Sequence, residues 1–185
     1  MNIFAIMGSP RRGGNTEVML DTFLAEAGEG FQLTLVIPSE LRIHSCRGCR
    51  VCERTGECVI DDDMERVAGD ILGADRIVVA TPVFFYGLPA SLKTLVDRTQ
   101  FLWSRKYFLK QDYPPKKGFL LSVGATGGKK LFAGVILTTR YFFDSFNCAY
   151  TGELVFRGFD RKGEIAGCAS CLLDIRQAAK TFFAG

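Results

Sequence analysis

Apolar runs alternate along the chain with stretches whose apolar residues recur at helical spacing, and this alternation predicts the architecture. Residues 2–7 form a short apolar run ending in Gly8-Ser9-Pro10, and residues 17–27 carry apolar side chains at helical intervals. That order reads as strand, loop and helix. Residues 31–37 alternate in character and hold β-favouring residues, so a second strand is expected, after which Pro38 opens a long segment with neither period. Asp62 followed by Glu65 has the spacing of an N-cap and its reciprocal partner, starting a helix that runs to about Leu72. A third strand is expected over residues 76–81. Pro89 suits the first turn of the next helix, with Leu92, Leu95, Val96 and Leu102 facing a core. Residues 119–123 read as the fourth strand, 131–146 as an apolar helix, 154–159 as the fifth strand and 165–183 as a closing helix.

Five strands alternating with helices predict an α/β fold with a doubly wound parallel sheet, because parallel neighbours need right-handed crossovers that cover both faces. The flavodoxin-like strand order 2-1-3-4-5 is expected, in one domain over residues 1–185 with a cysteine-rich insertion, 42–60, after the second strand. Such sheets bind ligands beyond the carboxyl ends of their strands, at the switch point between the first and third. The 185 residues, 48% of them hydrophobic, suit a single domain that buries roughly 70% of its unfolded surface. No disulfide scaffold is needed. The net charge of +3 is spread along the chain, which argues against a dedicated nucleic-acid binder. No apolar run is long enough to span a membrane, and no secretory signal is read at the start. A reducing cytoplasm is the expected compartment, where clustered cysteines more often bind metal or do chemistry than form disulfides.

Three loops fall at the carboxyl ends of the predicted strands. In the first, residues 8–16, glycines allow close backbone approach to an anion, Ser9, Asn15 and Thr16 add neutral donors, and a helix N-terminus follows Pro10 and Arg11. The patterns for a nucleoside triphosphate and for a dinucleotide are both absent, so a monophosphate is the expected occupant. The second loop, Pro82-Val83-Phe84-Phe85-Tyr86-Gly87, offers aromatic faces to a flat ring system and backbone groups to its polar edge. At least one of Phe84 and Phe85 is expected to fill a core gap instead. The third, residues 122–128, brings Gly124, Thr126 and Gly127 toward the same ligand.

The long segment after the second strand holds Cys46, Cys49, Cys52 and Cys58 in a C-x2-C-x2-C-x5-C run. Ligands at intervals of three wrap a compact inorganic cluster, and a fourth slightly further on closes the coordination. Structural zinc sites usually draw on two knuckles a dozen or more residues apart, and a loop of free thiols needs no metal. All three readings stand on spacing. Arg42, Arg47, Arg50 and Arg54 interleave with the cysteines and favour thiolates, only partly offset by Glu53 and Glu57.

Taken in order, Gly8-Ser9-Pro10-Arg11 with Gly14-Asn15-Thr16, the cysteine run leading into Asp62-Asp63-Met64, Thr81-Pro82 with Gly87-Leu88-Pro89-Ala90, Leu92-Lys93 with Asp97-Arg98, and Gly152-Glu153-Leu154 with Arg157-Gly158 resemble the iron–sulfur flavoproteins of the NAD(P)H-dependent FMN reductase group. The resemblance implies FMN at the three loops and a [4Fe–4S] cluster on the four cysteines. It also implies homodimers or dimers of dimers in which flavin and cluster of different subunits approach each other. The expected role is electron transfer between flavin and a one-electron partner, with ferredoxin-like proteins, NAD(P)H, quinones or oxygen species as donors and acceptors and no catalytic side chain. The rival readings are an NAD(P)H-dependent FMN or quinone reductase without a cluster, and a redox sensor without turnover. Lys93, Asp97 and Arg98 are expected as helix-surface charges, His44 as a solvated loop residue, and Cys148, Cys168 and Cys171 as small packed residues.

Overall fold

The computed structural model describes residues 1–184. Strands β1 (Asn2–Met7), β2 (Gln32–Val36), β3 (Arg76–Pro82), β4 (Lys116–Gly124) and β5 (Cys148–Arg157) form one sheet in the order β2-β1-β3-β4-β5. Every pairing is parallel, which is the flavodoxin-like arrangement expected. A strand covered on both faces must be apolar at successive positions, and β1 shows this. Its Phe4 and Ile6 enter the core on one side of the sheet, while Ile3, Ala5 and Met7 enter the core on the other.

One face is covered by α1 (Asn15–Leu24) and α7 (Ala169–Ala184). The other is covered by α3 (Met64–Gly73), α4 (Ala90–Arg98), α5 (Gln100–Tyr107) and α6 (Ala133–Asp144), with the short α2 (Cys52–Thr55) inside the cysteine segment. At the switch point the chain leaves β1 hard against β3: the Gly8 amide donates to the Ala80 carbonyl at 2.7 Å. A Cβ there would stand 2.6 Å from Leu92 and 3.1 Å from that carbonyl, so only glycine makes this passage without displacement.

Three expectations need correction. The helix after Pro89 does not run through to Leu102; it breaks at Thr99, where the backbone leaves helical geometry and the hydroxyl bonds the Val96 carbonyl at 2.7 Å. The fifth strand begins at Cys148, not at residue 154, and α6 ends correspondingly early. As the edge strand β5 is only partly covered, so its first half lacks the apolar run that marks a buried strand. The reciprocal cap of Asp62 and Glu65 does not form either. Asp62 lies outside α3 and accepts from the Met64 amide through Oδ1 at 3.1 Å, with its carboxylate turned inward.

Candidate functional site

Beyond the carboxyl ends of β1, β3 and β4 lies a cavity of about 310 Å³, within the range of small-molecule sites. The first loop contributes Ser9, Arg11, Gly14, Asn15 and Thr16; the second Pro82, Val83 and Phe84; the third Val123, Gly124 and Ala125. Of the residues expected there, Pro10, Phe85, Tyr86, Gly87, Thr126 and Gly127 are not on its wall. A fourth segment, Phe159 and Asp160 after β5, completes it. Sequence reasoning missed that segment, because no motif marks it and only the closing of β5 onto β4 brings it near.

The α1 N-terminus opens with Gly14 as an extended N-cap that has no side-chain cap, so the first-turn N–H groups lack intrahelical partners and face outward from the helix end. Ser9 Oγ accepts from the Arg11 amide at 3.1 Å and shapes the turn. Asn15 is partly committed within the chain. Its Nδ2 donates to the Arg161 carbonyl at 2.9 Å and its Oδ1 accepts from the Ile165 amide at 3.0 Å, which ties the fourth segment to the start of α1.

The aromatic loop is a tight two-residue turn, closed by Phe84 N to Gly87 O at 3.0 Å and Gly87 N to Phe84 O at 2.9 Å. Phe85 and Tyr86 both have positive φ, 47° and 63°. Asn and Gly normally fill such turns, so two aromatics there store strain. Neither phenylalanine fills a core gap, contrary to expectation: Phe84 is half-exposed and Phe85 fully exposed. The turn is braced from behind, since a Cβ on Gly134 would lie 2.3 Å from the Tyr86 carbonyl oxygen.

A second cavity, of about 180 Å³, is lined by all four loop cysteines together with Arg98, Gln100 and Phe101. Cys46 and Cys49 are exposed, Cys52 and Cys58 partly so. Among the described residues no group of three or more His, Cys, Asp or Glu side chains is arranged to hold a metal ion, and the four cysteines have this one cavity in common. Helix α5 is the platform beneath the loop. Its Arg105 Nε donates to the Gly56 carbonyl at 2.6 Å, and its buried Ser104 hydroxyl lies 3.5 Å from Cys52 Sγ.

Arg98 organises this loop from the end of α4. Its guanidinium takes the Asp62 carboxylate in a fork, Nη1 to Oδ2 at 2.6 Å and Nη2 to Oδ1 at 3.1 Å. Nη1 also reaches the His44 carbonyl at 2.8 Å, and Nη2 the Ile60 carbonyl at 3.3 Å, so one side chain ties both flanks of the cysteine run. Burial pushes the Asp62 carboxyl upward. The hydrogen bonds from Arg98, the His44 and Met64 amides, and the Arg98 charge outweigh burial and hold the carboxyl at about 2. For Arg98 itself, burial opposes the charge, while Asp62 and then the Cys58 sulfur support it and leave its proton held more firmly than usual. Its Nε is buried and has no hydrogen-bond partner among the described residues.

This corrects the expectation for Arg98. Lys93 and Asp97 do form an exposed pair at 2.6 Å, but Arg98 is 2% exposed. The signal was present in the helical period: Arg98 follows Leu95 by three positions, on the same face as buried Leu92. His44 is solvated as expected, its Nδ1 3.3 Å from Asp62 Oδ2. Cys148 is packed, and burial pushes its thiol to about 12 despite the countering charge of Lys116. Cys168 and Cys171, expected as packed thiols, are joined in a disulfide.

A five-stranded parallel sheet of this order, with a cavity between the first and third strands, defines a flavodoxin-like α/β protein. The chain belongs to the NADPH-dependent FMN reductase family, whose model matches residues 1–153. It is an oxidoreductase of the flavoprotein class, and FMN is the flavin of its family. An iron–sulfur flavoprotein of Methanosarcina thermophila is 39% identical over 133 residues, 70% of this chain and 68% of that one. Another, from Archaeoglobus fulgidus, is 38% identical over 99 residues, 53% of this chain and 45% of that one. The chain thus matches between about half and two thirds of the length of these relatives. In fold it is similar to an NAD(P)H:quinone oxidoreductase of Methanothermobacter marburgensis, with a TM-score of 0.69 at 17% identity over 97% of this chain and 98% of the other.

Proposed function

We propose that the chain holds FMN in the three-loop cavity and a [4Fe–4S] cluster on Cys46, Cys49, Cys52 and Cys58, and moves electrons between them and external partners. The observation that carries this reading is that four cysteines of one loop line one cavity beside a buried arginine. A single ion draws its sulfurs to about 2.3 Å from one point. Four soft donors at short spacing in one loop suit an object in which different irons bind different cysteines.

When bound, FMN supplies exchange of one or two electrons and the cluster exchange of one at a time. The chain's own groups bind and orient. The open N–H groups of the first turn of α1, with Ser9, Thr16 and Arg11, suit a phosphate dianion. Phe84 offers a ring face, and the backbone around Val83 and Gly124 offers donors and acceptors for a planar polar edge. Around the cysteines, Arg98 supplies fixed positive charge and a spare N–H, both of which would offset the negative charge of a four-thiolate group. NAD(P)H, a quinone or a ferredoxin-like protein is the proposed class of partner, in a reducing cytoplasm.

Anaerobic purification followed by iron, sulfide and FMN analysis tests the proposal. About four iron and four sulfide per chain with about one FMN are expected. Iron-free protein from that preparation overturns the cluster, and bleaching of its flavin by NAD(P)H then selects a reductase without one.

We also propose that the working form contains two or four copies. Within one chain the two cavities share no lining residue. The exposed Leu137 and Tyr141 of α6, beside Trp103 of α5, supply apolar surface for a second copy. Sedimentation of the loaded protein is expected to give a dimer or tetramer, and a monomer at micromolar concentration would sink the idea.

A further inference from the structure

We propose that Cys168 and Cys171 are a second redox site, a dithiol/disulfide couple that exchanges two electrons with an external dithiol, independent of the flavin and of the cysteine loop. The two are spaced C-x-x-C, and Cys168 immediately precedes α7, a helix of 16 residues. Their Cα atoms are 5.3 Å apart and the sulfurs are bonded, within the separation that a disulfide accepts without backbone movement. This spacing at a helix N-terminus is that of thiol/disulfide exchange sites. As a structural staple it is poor, because so short a loop removes little freedom from the unfolded chain. The pair also lies outside residues 1–153, the part matched by the family.

The two sulfurs are unequal in the way exchange requires. Cys171 is 8% exposed and packs into the core beneath α1 and α7, whereas Cys168 is partly open to solvent. The Cys171 amide lies 3.3 Å from Cys168 Sγ and the Ser170 hydroxyl 3.5 Å, both positioned to donate. With the dipole of α7, these donors favour negative charge on Cys168 when it is expelled from a mixed disulfide. Cys168 is therefore the sulfur that an incoming thiolate reaches and the one that leaves readily.

The exchange balances in two steps. A thiolate of the reducing dithiol attacks Cys168 Sγ and forms a mixed disulfide; the bond between the protein sulfurs breaks, its electron pair goes to Cys171, and that sulfur takes a proton. The second thiolate of the dithiol then attacks its own sulfur in the mixed disulfide and expels Cys168, which takes a second proton. Two protein thiols and one oxidised dithiol result. The pair also touches the flavin cavity at one remove: the Cys168 amide bonds the Ile165 carbonyl at 2.9 Å, and the Ile165 amide bonds Asn15 Oδ1 at the start of α1.

The test equilibrates the purified holoprotein anaerobically in a series of reduced and oxidised dithiothreitol and glutathione buffers. It is then quenched in acid and alkylated, and the mass of the peptide carrying both cysteines is read. The expected result is a single transition in which both residues pass together from disulfide to doubly alkylated, the ratio of forms changing tenfold per tenfold change in the dithiothreitol ratio. In Cys171→Ser, Cys168 is expected to form a mixed disulfide with oxidised glutathione at least ten times faster than Cys171 does in Cys168→Ser. A pair that stays bonded in excess reduced dithiothreitol, or stays as two thiols in the oxidised buffers, overturns the proposal, as does equal reactivity of the two single variants. Should a variant fail to fold, the wild-type titration decides alone, and it does so whatever the iron content.

Discussion

Replacing Arg98 by methionine is expected to lower stability by about 3–5 kcal/mol, the range for removing one partner of a buried ion pair. The cause is what it leaves behind. Asp62 has a fully buried carboxylate whose two oxygens meet the guanidinium fork, and the His44 and Ile60 carbonyls lose their donor at the same stroke. Both ends of the cysteine run come loose, so iron content is expected to fall along with the melting temperature. Lysine keeps the charge but cannot make the fork, so Arg98→Lys is expected to fall between wild type and methionine. Wild-type iron and stability in the methionine variant would show that Arg98 does not anchor the loop.

The same pair sets an acid limit. Asp62 is held at about 2 in the folded protein against an ordinary value of 3.8. A carboxyl whose folded value is depressed adds stability above its unfolded value and loses it as pH falls through the folded one. The interval from about pH 4 down to 2 should therefore remove about 2 kcal/mol of wild-type stability from this group. In Arg98→Met the His44 and Met64 amides alone are left to oppose burial at Asp62, so the loss of stability on acidification is expected to be clearly smaller than in wild type. Urea unfolding between pH 5 and 2.5 measures both, and parallel curves for the two proteins would refute the assignment.

The second large effect is expected from Cys58→Ser. Serine is a harder and far weaker donor to iron than a thiolate, so iron is expected to drop from about four per chain to below one. FMN should stay near one per chain, because the two cavities have no lining residue in common. Cys148→Ser is the matched control: its thiol is buried at the start of β5, away from the loop, and iron should not change. Four iron per chain in the Cys58 variant would remove that residue from the ligand set.

Much of the site could be read before any coordinates because it is local. The glycine-rich turn, Pro82 to Phe84 and the cysteine run are each contiguous, and the strands before the first two, β1 and β3, are marked by runs of apolar residues that a doubly covered sheet needs. Where reading failed, the information lay between segments. Phe159 and Asp160 carry no motif, and Asp62 fits a helix cap as well as it fits a partner for an arginine thirty-six residues away. Cys168 and Cys171 have a telling spacing, but spacing alone does not say that two sulfurs meet.

Sequence by itself thus determined the order of elements, the sheet they build and the clustering of four soft donors in one loop, since periodicity, turn residues and donor chemistry are properties of neighbours along the chain. Tertiary structure alone decided that Arg98 is buried rather than solvated, that its fork closes both ends of the cysteine loop, and that a fourth segment walls the three-loop cavity. The physical reason is that burial and ion pairing depend on which distant groups share a low-dielectric space, and no pattern of neighbours encodes that directly.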